Sequence, residues 1–349
     1  MSKSLGNGVD PIDAIENYGA DALRFTLTNG IGPGNDLRLS EEKLRASRNF
    51  ANKIWNAARF ILMNGAKDAL PDTLPDELRM EDKWIVSGVN RLIGEVTENI
   101  EQFETGVAAT KLYEFIWDVF CDWYIEIAKL RLSGEDRAES GRCMQVLVWS
   151  MTSLLKLLHP YMPFITEEIY QALPHSNESI MTANYPVYSE ALVFKSEETD
   201  FQMIMDAIKA VRVVRADMNV PTGKKINLFI EAKRNNVFDE GAEFITRLAG
   251  AREVVVGTGF DVPDAVRVVA SGALILIPME ELVDKQKELI RLGKEKESSL
   301  RDIAVLESRL SNAEFIAKAP ANIVEKETEK LTKAKEKLQL IVSSIDKLS

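Results

Sequence analysis

Ser47-Arg48-Asn49-Phe50-Ala51-Asn52-Lys53-Ile54-Trp55-Asn56-Ala57 is the stretch whose reading decides the fold. It lies inside a run from Glu41 to Asn64 in which Leu44, Ala51, Ile54, Trp55, Ala58 and Ile61 recur at helical spacing, so the pattern predicts one apolar helix face. The opposite face carries Arg45, Arg48, Asn49, Asn52, Lys53, Asn56 and Arg59. Ser40 reads as the N-cap, with Glu41 and Glu42 in the first turn, and Gly65 followed by Pro71 ends the helix. An amphipathic helix of this length needs apolar partners, and the sequence supplies them. A second helix is expected from about Glu81 to Phe103. A third, from Gly106 to about Leu132, is rich in aromatics: Tyr113, Phe115, Trp117, Phe120, Trp123 and Tyr124. Their spacing reads as core, leaving Trp123 or Tyr124 as the one exposed ring. A fourth runs from about Ser140 to Leu158 and stops before His159-Pro160, and a short fifth starts at Pro163. Antiparallel helices on short connections make a helix bundle.

After Pro186 the pattern changes. Phe201 to Met218 reads as a helix, Ile226, Leu228 and Ile230 alternate as a strand, and Glu253 to Gly257 is a second β-rich stretch. A helix from about Gly241 to Leu248 lies between them. Val266–Ala270 and Ala273–Ile277 flank Ser271-Gly272, the pattern of a hairpin. From Met279 a third regime begins. Leu282, Leu289, Lys296, Ile303 and Leu310 fall seven apart, with Leu292 and Leu306 in the companion position. After a break at 311–321, Val324, Leu331, Leu338 and Ile345 repeat the spacing, with Ala334, Ile341 and Leu348 between them. Two heptad helices around a Pro-containing turn predict an antiparallel coiled-coil hairpin with arms on the order of 40 Å. The expected fold class is mainly α: a helix bundle, a small α+β module and a terminal coiled-coil hairpin.

The chain has 349 residues, 46% hydrophobic and 28% charged, which suits two or three soluble domains. Its first residues are polar and do not read as a signal peptide, and its longest apolar-rich run, Cys143 to Leu155, is too short and too often interrupted to span a bilayer. A cytoplasmic location, with no membrane partner, is therefore expected. Cys121 and Cys143 sit in apolar helical segments and read as buried thiols. Two histidines and two scattered cysteines exclude a zinc knuckle of the usual four-ligand spacing, and no metal-binding residue is expected. The net charge of −11 argues against indiscriminate nucleic-acid binding. Residues 279–349 carry 14 Lys+Arg against 14 Asp+Glu, so the whole excess of acid lies upstream of the heptads.

The first residues, Met1-Ser2-Lys3-Ser4 and Leu5-Gly6-Asn7, add chemistry. Lys3 is a compact ammonium on a flexible stem, Ser2 and Ser4 can donate to phosphate oxygens, and Gly6 and Asn7 allow a sharp backbone turn. Such a loop can close on the phosphate charge that builds up during activation by ATP. Taken alone the four residues also fit an ordinary polar terminus. Asp10-Pro11 then reads as an N-cap and first helical proline, Gly19 breaks the helix, and a second helix follows from Ala20 to Leu27.

From Ser2 to Leu27 the sequence resembles the Lys-Met-Ser-Lys-Ser signature loop and the start of the stem-contact region of class I aminoacyl-tRNA synthetases, cut one residue inside the first lysine. The stretch from Ser47 to Ala57, Phe120-Cys121-Asp122-Trp123-Tyr124, the run from His159 to Ile169, and Met218-Asn219-Val220-Pro221 extend the likeness. With Phe315-Ile316-Ala317-Lys318-Ala319-Pro320 at the hairpin turn, the whole chain resembles the bacterial valyl-tRNA synthetase family. A cysteine-rich zinc element of the isoleucyl type is absent from the sequence.

The resemblance implies the terminal portion of an ATP-dependent ligase that attaches valine to its tRNA. It divides the chain into a remnant of the catalytic domain at 1–39, an anticodon-binding helix bundle at 40–185, a small α+β domain at 186–278 and a tRNA-binding arm at 279–349. Lys3 is the implied catalytic residue, and Ser2, Lys3 and Ser4 the implied contacts to ATP phosphates, with Mg2+ accompanying ATP in the intact enzyme. The chain alone is expected to bind neither and to be inactive in ATP–pyrophosphate exchange, because the His-Ile-Gly-His element and nucleotide fold are not in it. The implied partners are valine tRNA, with ATP and valine in the intact enzyme, and a monomeric state. Arg48, Asn52, Lys53, Asn56 and Arg59 are the anticodon-side candidates, because a polar stripe with cationic ends can bond splayed bases and phosphates. The same stripe also fits a solvated helix face. Arg309, Lys318 and Lys326 cluster near the hairpin turn and fit either tRNA phosphates or a solvated rim. His159, before a proline at a helix end, reads as packed or capping. A stand-alone tRNA-binding module or a coiled-coil interaction module is the alternative.

Overall fold

The computed structural model describes residues 10–30, 32, 34, 36–66, 69, 73–282, 285–311 and 321–348, with backbone alone at 285–292, 309, 321–325 and 344–348. Ser2, Lys3, Ser4 and Lys318 lie outside the described residues, as does the side chain of Arg309. The chain forms two compact units, Met1–Met205 and Asp206–Ser349. It is mainly helical, with one small mixed sheet.

The first unit contains α1 (Pro11–Tyr18), α2 (Ala20–Thr28), α3 (Glu41–Met63), α4 (Met80–Glu101), α5 (Thr105–Glu114), a π-helical segment (Phe115–Tyr124), α6 (Ile125–Leu132), α7 (Arg137–Leu158) and α8 (Pro163–Ala172), and the start of α9 (Lys195–Asp217). The caps are those the sequence predicts. Asp10 accepts from the N–H of Ile12, Gly19 turns the chain at φ 95°, and Ser40 accepts from the N–H of Lys43. The cap of α8 comes from elsewhere in the chain. Asp21 of α2 accepts from the N–H groups of Phe164 and Ile165 at 3.2 and 2.7 Å, which supplies an acidic side chain to the positive end of the helix. His159, at the end of α7, pairs with the Thr166 hydroxyl at 2.7 Å, and burial holds its pKa below the usual value. It is a packed side chain, as expected.

The core lies between α4 and α7, where Ile85, Val86, Val89, Val96, Val146, Leu147, Val148 and Leu157 are fully buried. Each such side chain stabilises the unit by roughly 1.5–3 kcal/mol. Gly88 lets the Phe115 ring close on α4, since a Cβ there would lie 3.1 Å from that ring. Cys121 and Cys143 are free and buried, and burial pushes both thiols up to about 12. Trp123 is 8% exposed and Tyr124 fully buried, so neither is the exposed ring expected of this helix. The third predicted helix also differs in kind, because its middle ten residues adopt a π-helix. A run of apolar and aromatic residues broken only by Asp118 and Asp122 conceals such a widening, since periodicity is read from contrast.

The second unit holds β1 (Ile226–Ala232), α10 (Asn235–Leu248), β2 (Ala251–Gly257), β3 (Ala265–Ala270) and β4 (Ala273–Pro278), followed by α11 (Met279–Leu282), α12 (Lys285–Ser311) and α13 (Ala321–Leu348). The sheet order is β2-β1-β4-β3. β1 and β2 are parallel, which requires the α10 crossover, and β3–β4 is the expected hairpin, with Gly272 at φ 74°. Ile226, Leu228 and Ile230 are fully buried on one face. α12 and α13 pack on each other and are bridged by Lys335–Glu307 and Lys337–Glu295 at 2.6 and 3.1 Å. Ile303 and Ile341 are buried in the seam, and so are Ser299 and Glu327, two polar positions that the leucine spacing did not reveal.

Candidate nucleic-acid interface

The α3 helix carries the candidate surface. Its Leu44, Phe50, Ile54, Ala57, Ala58 and Ile61 are buried, and this row fixes the rotation of the helix. Arg48, Asn52, Asn56 and Arg59 then point to solvent on the opposite side. They recur at four, four and three residues, so they form one stripe. Trp55 was expected on the apolar face. It is 45% exposed instead and stands beside the stripe between Arg48 and Arg59. The reason is geometric: at about 100° per residue, position 55 falls within about 20° of position 48 on the wheel, on the side of the polar stripe and beyond the edge of the buried row. An exposed ring therefore lies on α3, where sequence reading had missed it; Phe103 and Phe164 of the same unit are exposed as well.

The stripe is polar yet unsatisfied within the molecule. Among the described residues Asn52, Asn56 and Arg59 have no hydrogen-bonding or ionic partner, and Arg48 makes only a cation–π approach to Tyr18, with Cζ 6.0 Å from the ring centroid. Two guanidinium groups, two amides and one indole are thus presented together. Guanidinium forks match phosphate oxygens, amides pair with base edges, and an indole face stacks on a base.

Lys53 differs from its neighbours. It is half-buried at the edge of the stripe, 2.5 Å from Asp122 Oδ1, with its ammonium 4.7 Å from the centroid of Trp117. Trp117 stacks on Tyr113, and Tyr113 in turn packs on the buried Phe50 of α3, with centroids 5.7 and 4.9 Å apart. Burial and the charge of Asp118 raise the Tyr113 pKa above its usual value. On the hairpin, Lys326 is exposed near the start of α13. No group of His, Cys, Asp and Glu suited to holding a metal occurs among the described residues, and no helix is long and apolar enough to cross a membrane.

Comparison with known proteins identifies the class first. Residues 82–230 match the anticodon-binding domain of tRNA ligases, and residues 1–40 match the class I tRNA synthetases of the isoleucyl, leucyl, methionyl and valyl group. Residues 284–349 match the valyl tRNA synthetase tRNA binding arm. The particular relatives are valine–tRNA ligases. That of Clostridium perfringens is 46% identical over the whole chain, that of Clostridium acetobutylicum 46% over 99% of it, and that of Listeria innocua 43% over the whole chain. The chain is thus homologous along its length to the valine–tRNA ligases, and it spans 40% of the length of these relatives.

Proposed function

We propose that the chain is the tRNA-recognising portion of a valine–tRNA ligase, which joins valine to its tRNA at the expense of ATP in the cytoplasm. The bundle would receive the anticodon loop, and the α12–α13 hairpin would hold the tRNA body. The observation that carries this reading is the α3 stripe: Arg48, Asn52, Asn56 and Arg59 exposed together, without polar partners among the described residues, beside an exposed Trp55. A merely solvated helix face has little use for an indole among unpaired guanidinium groups. Lys53 belongs to the same site as a paired side chain. Lys326, with Arg309 and Lys318, would contribute phosphate contacts on the arm. Lys3, with Ser2 and Ser4, would serve ATP, with Mg2+, in the intact ligase.

Titrating the chain with valine tRNA and with transcripts altered at the anticodon tests this. Preference for the valine anticodon is expected, and the double variant Arg48→Ala/Arg59→Ala should weaken binding and reduce its salt dependence by about two phosphate contacts. Equal affinity for all tRNAs, unchanged in that variant, would remove the assignment.

A further inference from the structure

Asp122 is an exposed carboxylate at the edge of the α3 stripe, whose own exposed side chains, Arg48, Asn52, Trp55, Asn56 and Arg59, are cationic or neutral; Asp118, four residues earlier, is exposed as well. A free carboxylate there would repel the phosphate backbone. Lys53 removes that objection. Its ammonium meets Asp122 Oδ1 at 2.5 Å, so the pair carries no net charge, and the indole of Trp117 beneath the ammonium holds it in place. The second carboxylate oxygen, Oδ2, has no partner among the described residues, and the Asp122 side chain is 46% exposed.

The π-helix is what makes this arrangement possible. Trp117 and Asp122 are five residues apart, and in an α-helix they would point about 140° away from each other. The segment Phe115–Tyr124 is π-helical, with its backbone bonded five residues apart, so positions 117 and 122 are brought near one another under the same lysine. Such insertions sacrifice regular helix geometry and are frequent at functional sites.

An ionised carboxylate can only accept hydrogen bonds. Phosphates offer no donor. Among the groups of an unstacked loop, the donors are base amino groups, the imino N–H of guanine and uracil, and the 2′-hydroxyls; a carboxylate recognises an amino group, as in acceptance from the cytosine amino group. Resting on the proposal that the bundle receives the anticodon loop, we infer that Asp122 is a specificity-determining residue: its Oδ2 accepts from the exocyclic amino group of one anticodon base, while Lys53 is a positioning residue that neutralises and orients it. Lys53 therefore makes no phosphate contact of its own.

The test uses the whole chain and tRNA transcripts carrying each single anticodon substitution, with affinity measured over a salt series. Asp122→Ala should lower discrimination at one anticodon position by about tenfold and leave the others unchanged. It should also free Lys53, so the slope of log K against log salt steepens by about 0.7. Asp122→Asn is the sharper variant. If Lys53 keeps the amide oxygen, the amide N–H2 takes the place of Oδ2, and preference at that position should swing from an amino-bearing to a keto-bearing base. Unchanged discrimination at all three positions, with only a lower melting temperature, would overturn the inference and leave Asp122 as a tie between α3 and the π segment. So would an effect seen only with 2′-deoxy substitution in the loop. If instead neither Asp122 variants, nor Arg48→Ala/Arg59→Ala, nor any anticodon change alters affinity, the anticodon reading itself fails.

Discussion

Arg131 is ion-paired to Asp82 inside the bundle, with side chains 3% and 0% exposed. Asp82 also accepts from the Tyr124 hydroxyl at 2.8 Å and from the Arg79 N–H at 3.2 Å, so its carboxylate is fully coordinated at the start of α4. Arg131 reaches on to Glu139 of α7 at 2.5 Å, which ties α4, α6 and α7 together. Arg131→Met would leave Asp82 buried without its cation and Glu81 with Arg79 alone, at 3.2 Å. The expected loss is about 3–5 kcal/mol in urea unfolding. Arg131→Lys should recover little of it, because one ammonium cannot serve two carboxylates on separate helices as a guanidinium fork does. A loss below about 1 kcal/mol for the methionine variant would show that the network is dispensable.

The same network sets an acid limit. Burial alone would raise the Glu139 carboxyl, but hydrogen bonds from Arg142, Arg131 and Arg79 and the charge of Arg131 outweigh it and hold the pKa at about 2, against 4.5 for the free group. A folded pKa below the unfolded one gives stability that is present above pH 4.5 and is lost as pH falls toward 2. Glu81 opposes this, because burial raises its pKa, and protonation there favours the folded state as pH falls. The curve of wild-type stability minus that of Glu139→Gln should therefore be flat above pH 4.5 and decline below it. A difference that does not change with pH would refute the assignment.

Much of this fold is legible in the sequence, and the exceptions share a cause. α3 was readable because apolar and polar residues alternate sharply along it, and Asp10, Ser40 and Gly19 marked helix ends by local chemistry. Trp55 was misplaced because an aromatic residue at the border of an apolar stripe carries no sign of which neighbour covers it. The π segment was invisible because eight of the ten residues from Phe115 to Tyr124 are apolar or aromatic, and the two aspartates alone do not set a register. Asp21 and Asp122 act on Ile165 and Lys53, partners more than sixty residues away, and pairing over that distance leaves no periodic trace. The polar seam positions Ser299 and Glu327 were likewise hidden, since the heptad was followed by its leucines.

In the second unit, Arg215 explains the Met218-Asn219-Val220-Pro221 turn. Its guanidinium is buried and donates to the carbonyls of Pro221, Lys224 and Gly250 at 3.1, 2.9 and 3.1 Å, while Asn219 turns the chain at φ 51°. Gly250 lies against it at φ 70°, and a Cβ there would sit 3.3 Å from Arg215 Cζ. Gly250→Ala combines left-handed strain with a close approach and should cost about 1–3 kcal/mol. Arg215→Met should cost a comparable amount by leaving carbonyls without their donor. Thermal unfolding of the two variants and their combination should show less than additive losses, because both disturb one contact. Strict additivity would separate the glycine from the arginine.

Trp55 offers the cleanest separation of stability from recognition. It is exposed, makes no aromatic or hydrogen-bonding contact among the described residues, and lies beside the Arg48–Arg59 stripe. Removing a half-exposed ring that makes no hydrogen bond or ring contact among the described residues should change unfolding by no more than about 1 kcal/mol. Removing a ring on which a base stacks should weaken tRNA binding by about 1–3 kcal/mol. Trp55→Ala is thus expected to melt close to the wild type and bind valine tRNA about fivefold or more weakly. Because stacking is tolerant of base identity, the loss should be similar for transcripts altered at the anticodon, unlike the selective loss expected at Asp122. Indole fluorescence gives an independent check: the wild type should lose emission on tRNA binding, and the Trp55→Ala chain should lose less of it. An alanine variant that unfolds early and binds normally would return Trp55 to a structural role at the margin of the core.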